Sequence, residues 1–124
     1  MDKKRILVVD DEVDITFTFK IILEDKGFIV DTFNDSVLAL SSFDPHSYDL
    51  ALFDMVMPGM DGFNLYKEVK KLDSKIKILF LTASVELYET HKRDEFTKLD
   101  KELILKKPID NEELIKRINN TLGS

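Results

Sequence analysis

Four or five short apolar runs recur along the chain, with amphipathic stretches between them. The runs are Ile6–Val9, Phe28–Val30, Leu50–Phe53, Ile78–Leu81 and Leu103–Leu105. They are continuous rather than alternating, which is typical of strands covered on both faces, as in a parallel sheet. The stretches between them are long enough for crossover helices. The pattern therefore predicts an α/β fold, a doubly wound sheet of five parallel strands with helices on both faces.

Helical spacing of apolar residues predicts the crossover helices. The first runs from Val13 to Lys26, and Gly27 is placed to end it in a left-handed conformation. Its inward face carries Ile15, Phe19, Ile22 and Leu23. The second carries Leu40 and Phe43 and ends near Pro45.

Two further helices follow the third and fifth apolar runs. The helix after Gly62 carries Leu65, Val69 and Leu72, and the last helix is capped by Asp110. The inward stripe of that last helix is Leu114, Ile115, Ile118 and Leu122. The stretch between the fourth and fifth runs is polar from Glu89 to Glu95, so we expect its helix to be shifted, broken or mobile. Its candidate inward residues are Val85, Tyr88, Phe96 and Leu99.

Length and composition limit the possibilities further. A chain of 124 residues suits one compact domain, here residues 1–122, and 44% hydrophobic with 34% charged residues is a globular composition. The net charge of -6 argues against direct nucleic-acid binding, which needs clustered Lys and Arg. Without cysteine there is no disulfide or thiolate site. No apolar run exceeds four residues, so we expect no membrane span and a cytoplasmic protein.

Polar residues with catalytic potential follow the apolar runs. Ligands of open α/β sheets bind at the carboxyl ends of the strands, so the residues just after each run are the informative ones. These are Asp10 and Asp11, then Asp54, then Thr82, and finally Lys106 and Lys107. Three carboxylates, a hydroxyl and a lysine are therefore expected to meet at one edge of the sheet.

This set of side chains suits phosphoryl transfer. Carboxylates at close range repel one another unless a cation lies among them, and oxygen ligands without His or Cys favour Mg²⁺. An aspartate beside such an ion can attack phosphorus and form an acyl phosphate. The ion and a lysine would offset the charge on the transferring oxygens. Thr82 could donate a hydrogen bond to the bound group.

Each residue alone also has a purely structural explanation. Asp10 and Asp11 could cap the next helix, and Asp54 could be a turn residue. Thr82 is common in turns, and Lys107 could be a solvated lysine before the helix-starting Pro108. The ordered convergence of all of them favours the functional interpretation.

On these residues the chain resembles the receiver domains of bacterial and archaeal response regulators. Ile6–Glu12 matches the opening strand and acidic pair of that family, and Asp54–Gly62 matches its phosphoacceptor strand and loop. Thr82–Ser84 and Lys107–Pro108 fit the motifs of the fourth and fifth strands. The resemblance covers essentially the whole chain. It implies a flavodoxin-like sheet with strand order 2-1-3-4-5.

The resemblance also implies a role for each matching residue. Asp54 is the nucleophile. Asp11 is a direct Mg²⁺ ligand, Asp10 holds the ion mainly through water, and the backbone carbonyl of Val56 completes the protein ligands. Thr82 is the switch hydroxyl. Lys107 pairs with the phosphoryl oxygens and precedes a cis peptide bond to Pro108. Lys106 is the competing lysine, but adjacent strand side chains face opposite ways, and adjacency to proline favours Lys107.

Two regions depart from the family pattern. Ile104 stands where the family often has a Tyr or Phe that rotates with the threonine, so the aromatic part of the switch is missing. Lys98–Glu102 replaces a small turn, which makes the partner surface unusual. Val56 and Ser84 flank the site, and an apolar Val56 cannot orient water, which indicates a longer-lived phosphoryl group.

The sequence thus predicts a Mg²⁺-dependent phosphorylation switch. A sensor histidine kinase or histidine phosphotransfer protein donates to Asp54, and output passes through protein contacts to a downstream effector, with a homodimer as one possibility. One alternative is a receiver-like interaction module that no longer uses phosphorylation. Another is a phosphohydrolase with an aspartyl-phosphate intermediate, although Val56 occupies the place of its acid/base aspartate. The chain is either a single-domain regulator or a receiver excised from a longer one.

Overall fold

The computed structural model describes residues 3–83 and 101–123. The strands are β1 (Arg5–Val9), β2 (Ile29–Phe33), β3 (Leu50–Asp54), β4 (Lys77–Thr82) and β5 (Ile104–Lys106). The helices of the described residues are α1 (Val13–Asp25), α2 (Ser36–Ser41), α3 (Gly62–Leu72) and α4 (Asn111–Leu122). A 3-10 turn, Lys101–Leu103, leads into β5.

The strands form one parallel sheet in the order β2-β1-β3-β4-β5. β1 pairs with β2 and β3 on its two sides, and β4 joins β3 to the edge strand β5. Because all five strands run the same way, their carboxyl ends lie at one edge of the sheet. The predicted fold class and strand order are confirmed.

Two apolar layers cover the sheet. On one face, Ile6, Val8, Leu52 and Leu81 pack against α1 and α4 through Phe19, Leu23, Leu114 and Ile118. On the other face, Leu7, Val9, Phe53 and Phe80 pack with Ala39 of α2 and with Leu65 and Val69 of α3. The central strands are buried on both faces, which explains why they appear in the sequence as continuous apolar runs.

Some element bounds differ from the prediction. β2 is Ile29–Phe33 rather than Phe28–Val30, because Asp31 and Thr32 continue the pairing with β1 although their side chains are polar. An edge strand tolerates such residues. α2 ends at Ser41, well before Pro45, and Leu72 is exposed at the end of α3.

The predicted helix ends at α1 and α4 are largely correct. Gly27 has φ +93°, the left-handed conformation expected just after a helix, and α1 ends at Asp25. The Asp110 carboxylate accepts a hydrogen bond from the Glu112 N–H at the start of α4. The inward residues proposed between the fourth and fifth strands, Val85, Tyr88, Phe96 and Leu99, lie outside the described residues, as does Ser84. Among the described helices, none has the length and apolar character that crossing a bilayer requires.

Candidate functional site

Asp54 is the last residue of β3 and lies at the carboxyl edge of the sheet. It is 5% exposed, and its Oδ1 accepts a hydrogen bond from the Val56 N–H at 3.3 Å. The start of α3 packs closely behind it, because Gly62 has no side chain to separate the helix from the strand. The carboxylate is thus held at the strand end with one oxygen bonded to backbone and the other directed at its charged neighbours.

Asp10 follows β1 and is completely buried. Its Oδ1 accepts a hydrogen bond from the Glu12 N–H at 2.9 Å. Its backbone N–H donates to the Phe33 carbonyl, and its carbonyl accepts from the Asn34 amide at 2.8 Å. These bonds fix the residue between β1 and the loop after β2. A buried carboxylate in such a position needs a compensating positive charge.

Lys107 supplies that charge. Its Nζ lies 2.7 Å from Oδ2 of Asp10, 3.2 Å from Oε1 of Glu12 and 3.4 Å from Oδ2 of Asp54. Its backbone N–H donates to the Thr82 carbonyl at 2.8 Å, which fixes the residue after β5.

The two lysines at this point of the chain differ in environment. Lys106 is exposed at the end of β5, whereas the side chain of Lys107, the residue just beyond the strand, lies at the acidic cluster. The peptide bond between Lys107 and Pro108 is cis, as the resemblance implied.

The charges shift the protonation of the cluster. Burial, and then the charge of Asp10, raise the pKa of Asp54 to about 7, even though Lys107 and the Val56 N–H lower it. A hydrogen bond with the Asp11 side chain contributes further to the rise. For Lys107, burial lowers the pKa, but Asp10, Asp54 and Glu12 together outweigh burial and raise it above its ordinary value. The ammonium therefore stays charged, while Asp54 resists ionisation.

The cluster fits a divalent cation. One carboxylate oxygen from each of Asp10, Glu12 and Asp54 lies within 4.8 Å of the others. Oxygen donors without nitrogen or sulfur are the ligands that Mg²⁺ prefers. The residues that could hold the ion in this arrangement are these three.

The sequence predicted Asp10, Asp11 and Asp54 for this cluster and gave Glu12 no role. Glu12 belongs to the stretch that matched the family's first motif, and its position directly after the acidic pair is the signal that could have suggested it. Asp11 is exposed, and it meets the cluster through its contact with Asp54.

The remaining predicted residues differ in where they lie. Thr82 is the last residue of β4 and is buried; Val56 is exposed in the loop after Asp54. Ile104 is buried at the start of β5, where it pairs with Phe80 and packs in the apolar layer of α2 and α3. It is thus part of the core, on the strand that pairs with β4.

A family model described as the response regulator receiver domain matches residues 6–119. The chain belongs to this family. Receiver domains are signalling switches rather than classical enzymes, and the acidic cluster of Asp10, Glu12 and Asp54 fits the magnesium site typical of such domains.

Relatives of two kinds match this receiver domain. The transcriptional regulatory protein RprY of Bacteroides fragilis is 35% identical over 98% of this chain and 51% of its own length. The chemotaxis protein CheY of Bacillus subtilis is 32% identical over 96% of this chain and 98% of its own length. The chain spans about half the length of the transcriptional regulators that it matches.

Solved structures agree with the sheet described above. The non-phosphorylated HemR receiver domain of Leptospira biflexa superposes with a TM-score of 0.82 at 26% identity, over 98% of this chain and 96% of that one.

Proposed function

We propose that this receiver domain accepts a phosphoryl group on Asp54 from a protein phosphohistidine, in a Mg²⁺-dependent reaction. The observation that carries the proposal is the position of the Lys107 ammonium. It lies within 3.4 Å of carboxylate oxygens of both Asp54 and Asp10, at the carboxyl edge of the sheet. A lysine in contact with the acceptor oxygen is placed to stabilise charge on a group that is transferred to that oxygen.

The chemistry follows from the environment of Asp54. Its ionised Oδ2 attacks phosphorus, a new O–P bond forms, and the N–P bond of the donor breaks. The electron pair of that bond stays on the imidazole nitrogen of the donor. Lys107 offsets the negative charge of the transferring oxygens, while the Val56 N–H holds the other oxygen of Asp54.

A bound Mg²⁺ would supply the charge compensation that lets these carboxylates ionise together and would bind a phosphoryl oxygen. The buried carboxylates of Asp10 and Asp54 converge for it, with Asp11 beside them, whereas the exposed carboxylate of Glu12 is engaged by Lys107. The carbonyl of Val56 remains a proposed ligand from the resemblance. Asp10 is buried and already fixed by backbone hydrogen bonds, so it needs little reorganisation.

Readout of the phosphoryl group is assigned to Thr82. Its hydroxyl lies at the end of the strand next to β3, where it can turn towards a group on Asp54. Ile104 replaces the aromatic partner of that movement with a residue already buried in the core. The response to phosphorylation therefore rests on Thr82 and on the loops at the carboxyl edge.

An apolar stripe on α1 supports a protein as the donor. Val13, Phe17 and Ile21 are spaced four residues apart, which places them on one side of the helix, and all three are exposed. The stripe starts directly after Asp10, Asp11 and Glu12, so a partner helix lying along it would approach Asp54. We propose this stripe as the contact surface for a histidine kinase or phosphotransfer protein.

Output is proposed to pass through protein contacts to an effector, with the cytoplasm as the site of action. The relatives RprY and the CpxR homolog are about twice as long as this chain and are transcriptional regulators, which is consistent with a receiver that controls a second domain or a separate protein.

Intact-mass spectrometry tests the core of the proposal. The protein is incubated with Mg²⁺ and acetyl phosphate, and we expect one phosphoryl group to be added. The matched control is Asp54→Asn, in which the nucleophilic oxygen is replaced by an amide. No gain in the wild-type protein, or an equal gain in the variant, would refute the proposal.

A further inference from the structure

Glu12 contacts Lys107 from the solvent side of the cluster. Oε1 of Glu12 accepts a hydrogen bond from the Lys107 Nζ at 3.2 Å, across 95 positions of the sequence. Glu12 stands at the N-cap position of α1, but its side chain caps no N–H there. Its carboxylate is therefore free of a helix-capping role and reaches to the lysine instead.

The three carboxylates around Lys107 differ in what it costs to release them. Asp10 is completely buried and Asp54 nearly so, whereas the Glu12 side chain is 61% exposed. A carboxylate that loses its ammonium partner inside the protein is left without compensation, but one at the surface is rehydrated by water. When a phosphoryl group on Asp54 accepts a hydrogen bond from the Lys107 ammonium, the contact to Glu12 is the one that can be released.

From this difference we propose that Glu12 is a positioning residue for Lys107. In the unphosphorylated protein, it holds the ammonium towards the start of α1. It competes with the phosphoryl group for that ammonium and so lowers the affinity of the site for a phosphoryl group. The inference rests on the proposed function of Asp54, since it concerns the lysine that serves the same group.

Two substitutions separate contact from charge. Glu12→Gln removes the charge and the charged contact. Glu12→Asp keeps the charge but is one methylene shorter, so its carboxylate does not reach Nζ; aspartate is also a favourable N-cap residue, which preserves the start of α1. Asp14→Asn is the matched control, because it removes a negative charge from the exposed first turn of α1.

The probe is trifluoroberyllate, a stable mimic of the phosphoryl group, at saturating Mg²⁺. We expect both Glu12 variants to bind it more tightly than the wild-type protein, by roughly two- to fivefold, the range for a contact with one exposed partner. In a 1H–15N spectrum that detects the lysine ammonium groups, recorded without trifluoroberyllate, the Lys107 signal should move in both variants. Asp14→Asn should leave the affinity and the signal unchanged.

Three results would overturn the inference. The first is that Glu12→Asp binds trifluoroberyllate with the same affinity as the wild-type protein, which would mean that the contact has no effect. The second is an equal gain in Asp14→Asn, which would indicate general electrostatics. The third is weaker binding in both Glu12 variants, which would make Glu12 a metal ligand. If the wild-type protein itself binds no trifluoroberyllate, the proposed function of Asp54 fails rather than the role of Glu12.

Discussion

The α-carbon of Gly62 packs directly against the backbone carbonyl of Asp54. A side-chain carbon at residue 62 would overlap that carbonyl oxygen and would come within 2.9 Å of the carbonyl carbon and of the Met55 α-carbon. The Gly62 N–H also donates to the Met55 carbonyl. The first residue of α3 thus determines how closely the helix approaches the acceptor strand, and with it the placement of Asp54.

Gly62→Ala should therefore disturb both stability and function. Because the obstruction is backbone, which cannot move aside cheaply, we expect a loss of about 2–3 kcal/mol in the free energy of unfolding. Urea denaturation measures this loss, and mass spectrometry after acetyl phosphate measures phosphorylation. Gly123→Ala, at the exposed end of α4, is the control and should change stability by less than about 0.5 kcal/mol. Similar losses in the two variants would contradict the packing argument.

The raised pKa of Asp54 predicts a pH-dependent cost of ionisation. The folded protein keeps a proton on Asp54 up to about pH 7, whereas the unfolded chain releases it near the ordinary value of 3.8. The folded state thus binds more protons between these values, so stability falls as pH rises through that window.

Asp54→Asn removes this cost. Without metal, the variant should be more stable than the wild-type protein near pH 8, on the order of 2 kcal/mol, with little difference near pH 4. Thermal unfolding in a chelator measures both, and Mg²⁺ should narrow the gap near pH 8 by stabilising the wild-type protein. A gap that is independent of pH would show that the ionised carboxylate carries no such cost.

Lys107→Met should be far more harmful than Lys106→Met. The first leaves the buried Asp10 carboxylate without its ammonium partner, and breaking such a pair costs about 3 kcal/mol. The second changes an exposed side chain, so we expect stability within about 0.5 kcal/mol of wild type. Urea denaturation of both variants at neutral pH compares them. Equal stability of the two would exclude Lys107 as the counter-charge of Asp10.

Phe17→Ser should slow phosphorylation by a protein donor but not phosphorylation by a small-molecule donor. Phe17 is the middle residue of the exposed α1 stripe, so its loss should slow phosphoryl transfer from a histidine kinase by about tenfold, because aromatic anchors dominate such contacts. Phosphorylation by acetyl phosphate should be unchanged. Leu38→Ser, an exposed apolar residue on α2, is the control and should leave both rates unaltered. A kinase rate that is unchanged in Phe17→Ser would place the docking surface elsewhere.

Thr82→Ala should uncouple phosphorylation from its structural response. The alanine variant loses the hydroxyl but leaves Asp54 and Lys107 in place, so it should still take up trifluoroberyllate. The amide shifts that extend away from the site in the wild-type protein should shrink. Thr82→Ser keeps the hydroxyl and should restore them. If the amide shifts in Thr82→Ala were as large as in the wild-type protein, the hydroxyl would have no part in the switch.

Much of this molecule could be predicted from local sequence. Continuous apolar runs identify β1, β3 and β4 because these strands are buried on both faces, and the residues that follow them identify the carboxyl edge. The end of β2 was missed because Asp31 and Thr32 belong to an edge strand, where burial no longer controls composition. Apolar periodicity therefore predicts central strands better than edge strands.

The side-chain arrangement of the site was harder to predict. Glu12 is brought to Lys107 only by the folded sheet, and nothing local in either segment indicates that pairing. After a strand ends, the alternation of faces no longer applies. The directions of Asp10, Asp11 and Glu12 are therefore set by the turn into α1 rather than by the sequence pattern. The resemblance supplied roles for the acidic pair, but geometry was needed to add the third residue.

The contact between Asp10 and Lys107 joins the first strand of the chain to the segment that follows the last one. During synthesis, Asp10 emerges early and its ammonium partner late, so the buried position of Asp10 is electrostatically unfavourable until β5 has docked on β4. Truncation before residue 107 should thus destabilise the sheet, because the Asp10 carboxylate would be buried without its ammonium partner. This one pair therefore makes the stability of β1 depend on the docking of the last strand.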